Sequence, residues 1–179
     1  MDAALSPADF RIYNRLASQM EQIHSEFRRT WTQLKQACPL NSQAEPNPYP
    51  ATDGDDEDAS DEEIIMLGLS FCEGLSMHHS IEERFFFPLL AARMPEFGPS
   101  GILAEQHELI HDGLVRLRGY LNRCERGEEG EGLDRSEVRE FMDDFEQVLW
   151  EHLDGEVSVL GGENMRRFWS LDEVRRFPM

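Results

Sequence analysis

A chain of 179 residues with 36 Asp and Glu against 17 Lys and Arg, a formal charge of −19, is sized for one domain and one good core. It suits neither nucleic acid nor an anionic membrane surface, which need clustered basic residues, and no apolar run approaches the roughly 20 residues that span a bilayer. The acidic opening MDAALSPADF does not read as a secretory leader, and Cys38, Cys72 and Cys124 are too widely spaced for a disulfide framework or a thiolate metal motif, so a soluble protein of a reducing cytoplasm is expected.

Between Pro7 and Cys38 there is no Gly or Pro, and Phe10, Tyr13, Ala17, Met20, His24, Phe27, Trp31, Leu34 and Cys38 recur in steps of three and four. That is one helix with a single buried stripe. Residues 39–63 are rich in Pro, Asp and Glu and read as a solvated acidic linker. The run Asp53–Asp58 within it lacks the ligand spacing of a helix–loop–helix calcium site. A second helix is expected from near Ser60 to near Met94, with Glu62 and Glu63 in its first turn and the stripe Phe71, Leu75, His78, Glu82, Phe85, Leu89. Pro88 falls inside it and should bend or interrupt it.

After the turn at 98–101, a third helix carries Leu103, His107, Ile110, Leu114, Leu117 and Leu121. Beyond the Gly-rich turn at 127–132, a fourth opens near Asp134 or Ser136. It carries Val138, Phe141, Phe145, Val148, His152, Glu156 and Val159, and Gly161-Gly162 ends it. A short helical stretch is expected around Leu171–Arg176. No strand alternation and no repeat is present. The pattern predicts an all-α, up-and-down antiparallel four-helix bundle, one domain over 1–179, with the bundle at about 8–160 and a C-terminal extension at 161–179.

Histidines stand where apolar residues belong on all four helices. The last three each pair a His with a second ligand-type residue four positions on: His78 with Glu82, His107 with His111, and His152 with Glu156. That spacing puts both side chains on one helix face, one turn apart, as bundle helices do when they hold a metal in their core. A carboxylate on a core stripe needs a cation or a proton. Counted from the turn near residue 130, His107 and His111 lie about 21 residues back and His152 and Glu156 about 24 forward, a mismatch of about 4 Å in height. Seven donors then converge: His24, His78, Glu82, His107, His111, His152 and Glu156. Nitrogen and oxygen donors without thiolate suit two octahedral ions of iron or manganese better than one zinc.

With His24 on the first helix, HHSIEERFFFPLL at 78–90, HELIH at 107–111 and HLDGE at 152–156, the chain resembles the hemerythrin family in its broad HHE cation-binding form. The resemblance runs from about residue 8 to 160. It implies a bundle around two iron ions, with an oxo or hydroxo bridge, held by those seven residues, Glu82 and Glu156 bridging; manganese or zinc are the other possible occupants. Oxygen-carrying members have an Asp five residues after the helix 4 His. Here Glu156 follows His152 by four, a spacing of other members, including iron and oxygen sensors. A competing pair, His79 and Glu83, lies on a stripe broken by Ser76, so the cleaner stripe selects His78 and Glu82. His79 and Glu83 are then expected in a supporting or surface role.

Two functions follow from such a centre. One is a module that binds iron and O2, or a related small ligand, for sensing, storage or detoxification. The other is a di-iron oxidoreductase (oxidase, oxygenase or catalase-like) working at the same ions. Five imidazoles against two carboxylates favour the binding module, since oxygen-activating bundles carry more carboxylates.

Overall fold

The computed structural model describes residues 4–39, 59–128 and 132–178. Most of the acidic stretch expected as a linker, with the Asp53–Asp58 run, lies outside these. The described residues are helical throughout their regular structure. Helix α1 spans Pro7–Tyr13, with Ser6 capping through the Asp9 N–H and Pro7 pre-set for the first turn. Helix α2 spans Arg15–Ala37. Helix α3, Asp61–Ile81, opens on a capping box in which Ser60 Oγ accepts from Glu63 N–H and the Glu63 carboxylate accepts from Ser60 N–H. A π-helical turn at Glu82–Phe86 and the short α4, Phe87–Leu90, continue it. Helix α5 is Ile102–Glu125, and α6, Arg135–Val159, is capped by Asp134. Helices α7, Gly162–Phe168, and α8, Leu171–Arg175, complete the chain.

One expectation is corrected, and two others hold with added detail. The first helix is broken at Asn14, whose Oδ1 accepts from the Gly162 N–H at 2.9 Å, and Phe10 on its expected stripe is 39% exposed. The disturbance attributed to Pro88 begins at Glu82, where the Phe87 N–H reaches back five residues to the Glu82 carbonyl. Pro88 has no N–H for the Arg84 carbonyl and its ring crowds that group, so the chain widens upstream. The fourth helix, α6, ends at Val159 just before Gly161-Gly162, and a helix not expected from the sequence, α7, begins at Gly162.

Helix α5 packs on α3 and α6, and α2 packs on the same two, closing a ring of four. The apolar interior forms two blocks. One is built on Trp31, Leu34, Phe71, Leu75, Ile110, Leu117, Phe145 and Leu149. The other holds Leu16, Met20, Phe87, Met94, Phe97, Leu103, Met165 and Trp169, so α7 and α8 cover that end. Arg93 pins the cover: it donates to both Glu173 oxygens and the Phe168 carbonyl, with its guanidinium 4.3 Å from the Trp169 ring. Helices α2, α5 and α6 pass from one block to the other, α3 does so through the π-turn and α4, and a polar layer crosses the interior between the blocks. No helix among the described residues is long and apolar enough to cross a membrane.

Candidate metal centre

The polar layer holds two overlapping sets of buried donors, His24, His78, Glu82, Glu156 and His79, Glu82, His107, His152, the atoms of each set lying within 4.8 Å of one another. Helix α2 supplies His24, α3 supplies His78 and His79, the π-turn supplies Glu82, α5 supplies His107, and α6 supplies His152 and Glu156. In the first set His24 Nε2 lies 3.2 Å from His78 Nε2 and 3.4 Å from Glu156 Oε2, and His78 Nε2 lies 3.1 Å from Glu82 Oε1. In the second, His107 Nε2 lies 3.2 Å from His152 Nε2 and 3.4 Å from Glu82 Oε2. Glu82 thus turns one oxygen toward each set. Glu156 Oε2 also lies 3.9 Å from His152 Nε2, so it faces both.

Those separations suit cation ligands. Two donors about 2.1 Å from one ion and at right angles stand about 3 Å apart. Mutual hydrogen bonding leaves several of these atoms without a conventional donor or acceptor. His79 Nε2, both Glu82 oxygens and Glu156 Oε2 are buried without a hydrogen-bond partner of normal geometry. Unpaired groups of this kind cost of order 1–3 kcal/mol each, more when charged, and a cation removes the cost.

Ring orientation is set from outside the sets. The Nδ1–H of His24 donates to the Leu153 carbonyl at 3.1 Å, and that of His107 to Glu83 Oε1 at 2.8 Å; both leave Nε2 facing inward. His107 is held further by stacking, with ring centroids 3.9 Å from His79 and 4.9 Å from Phe87. Burial holds His78 down at about 4, and, aided by neighbouring imidazoles, keeps His79 and His152 well below the usual histidine range. His107 is lowered for the same first reason, against the pull of Glu83. Burial, then the facing Glu156, raises the Glu82 carboxyl well above its ordinary range. Imidazoles kept neutral and a carboxyl in need of a countercharge are what a cation site requires.

Of the seven residues expected to converge, His24, His78, Glu82, His107, His152 and Glu156 lie in this layer. His111 does not, and that expectation is corrected: its side chain is 64% exposed, next to Asp112. A step of four from His107 turns about 40° further round the helix, past the face whose next members are Ile110 and Leu114. His79, set aside on the sequence, takes a place in the layer at 5% exposure. A single-stripe reading made His78 and His79 rivals, yet α3 meets two neighbours: His78 faces His24 and Phe27 on α2, and His79 faces His107 on α5. Glu83, expected in a supporting or surface position, is half exposed and accepts from His107.

The pattern of the hemerythrin HHE cation-binding domain matches residues 47–162, which takes in α3 to α6 and leaves His24 outside. A protein of Cryptosporiopsis sp. (strain 8999), the dimeric xanthone biosynthesis cluster protein R11, is 24% identical over 166 residues, 88% of this chain. The chain spans 56% of that relative's length. No solved structure matches it.

Proposed function

This chain belongs to the hemerythrin HHE cation-binding domain family, and from that premise we propose that it is a non-haem di-iron protein. It binds iron, and O2 or a related small ligand, in the core of an up-and-down four-helix bundle, for oxygen or iron sensing, storage or detoxification. The observation that carries this reading is Glu82, a buried carboxylate that turns one oxygen to each of two buried donor sets. His24, His78 and Glu156 would hold one ion, His79, His107 and His152 the other, with Glu82 bridging and Glu156 able to reach both.

A ferrous pair supplies the electrons for reversible O2 binding, and a set rich in neutral imidazole favours the reduced ions. The protein's part is to hold that pair dry and oriented. Glu83 and the Leu153 carbonyl fix the rings of His107 and His24, and Phe87, Leu103, Ile110 and Leu149 exclude bulk water from above and below. A second reading, a di-iron oxidoreductase, is favoured by one observation: the relative's name ties that protein to a biosynthesis cluster.

The test is to load metal-free protein with Fe2+ anaerobically, measure its metal, and admit O2 in a closed cell with a mild reductant present. The binding module should carry about two irons per chain and take up about one O2 per pair. A reproducible single zinc without iron would refute the di-iron reading. Sustained O2 consumption accelerated by an organic molecule would move the assignment to the oxidoreductase.

A further inference from the structure

A cleft of about 460 Å³ opens between α3 and α5, and its lining runs from solvent to the buried layer. Its inner wall includes His79 and His107, and its outer wall Glu83, Glu108, His111 and Asp112. Two other cavities, one between α5 and α6 and one between α2 and α6, are lined by none of the layer's donors. The axial directions are closed by the two apolar blocks, where a hydrated ion would lose its water at a cost of several kcal/mol. Lateral entry is the affordable direction, and this cleft is the described one that reaches the donors.

We propose that the α3–α5 cleft is the path by which a hydrated divalent cation such as Fe2+ reaches the buried layer, with Glu108, His111 and Asp112 as transient ligands at its mouth. Carboxylates lower the energy of an approaching dication while it keeps most of its water, and an exposed imidazole begins the exchange of water for nitrogen. His111 stands one turn, about 6 Å, from His107 on the same helix, so the ion passes inward between like ligands. His79 receives it: the ring lines the cleft, is 5% exposed, and has Nε2 unpartnered. Arg118 is the one basic residue of the lining and sits two turns from His111, away from His107. The chain's −19 charge draws cations generally, and the cleft gives that attraction a destination.

This inference rests on the di-iron reading, and the experiment separates the two. Metal-free protein is mixed anaerobically with Fe2+ at low ionic strength, and samples are challenged at intervals with a chromogenic ferrous chelator to read the iron not yet shielded. The triple variant Glu108→Gln, His111→Ala, Asp112→Asn should load about three- to thirtyfold more slowly, with a weaker salt dependence. Its final iron content and the melting temperature of the loaded protein should equal those of the wild type. A control, Asp144→Asn with Glu151→Gln, removes the same formal charge beside the α5–α6 groove and should load at the wild-type rate. Wild-type loading in the triple variant, or equal slowing in the control, overturns the entry path. A lower final iron content in the triple variant overturns it too, since those residues would then be resident ligands. Failure of the wild type to shield any iron refutes the di-iron reading, and the path with it.

Discussion

Exchanging the roles of His79 and His111 is the sharpest consequence of the geometry, and single alanine variants test it. His79 is one of four donors in its set, with its ring 3.9 Å from that of His107 and 5.1 Å from that of His152. Loss of a group that only orients a ligand costs about 10- to 100-fold in metal affinity, so loss of a direct donor should cost at least the upper figure. A hundredfold weaker affinity is about 2.7 kcal/mol, and by linkage the loaded protein loses about that much stability. At this chain length that is a fall of about 5–10 °C in melting temperature. In the metal-free protein the buried, unpartnered Nε2 of His79 already carries a penalty, which offsets part of the packing lost on truncation. His79→Ala should therefore shed close to one of two irons per chain and show most of its melting deficit only when loaded. His111→Ala, on an exposed side chain, should keep both irons and change stability by less than about 0.5 kcal/mol. Metal analysis with melting curves in iron and in chelator reads all of this. Loss of an ion from His111→Ala with both retained by His79→Ala would refute the assignment.

Chelation of the wild type should lower its melting temperature by several degrees or more, since Glu82 and Glu156 lose their countercharge; equal curves with and without metal would place the cation elsewhere. Metal-free protein should also lose stability as pH falls from about 6.5 to about 4. His78 titrates at about 4 folded and near 6.5 unfolded, so in that window the unfolded chain holds the extra proton, a loss of about 3 kcal/mol from this group at most. His79, His107 and His152 act in the same direction, whereas the raised Glu82 carboxyl opposes them by favouring the folded state at low pH; urea midpoints at pH 7.5 and 5 give the net sign. Gly113→Ala should cost about 1–3 kcal/mol, because its Cβ would stand 2.4 Å from the Phe145 ring, while Gly155→Ala, with nothing within 4 Å, should gain about 0.5–1 kcal/mol in thermal melts. Native protein at pH 8 should resist thiol alkylation until unfolded: all three cysteines are buried, and burial raises Cys38 to about 11 and Cys72 to about 12.

What the sequence determined by itself was local. Ser60 with Glu63 and the Asp134 cap mark the starts of α3 and α6, because capping joins residues two or three apart. Steps of three and four place His24, His107, His152 and Glu156 on buried faces, because one face suffices to define a stripe. The reading failed where a residue's fate depends on which helix lies opposite. His79 is buried because α3 is flanked by both α2 and α5, and a single stripe cannot represent a helix with two buried sides. His111 is exposed because spacing alone does not say where the face ends. The π-turn at Glu82 comes from a proline six residues downstream, and α7 opens on the same Gly-Gly that stops α6; its start is tied down by Asn14, 148 residues earlier in the chain. Which donors would share an ion was decided by helix packing, since periodicity reports the angle of a side chain about its own axis and carries no information about the neighbour it meets.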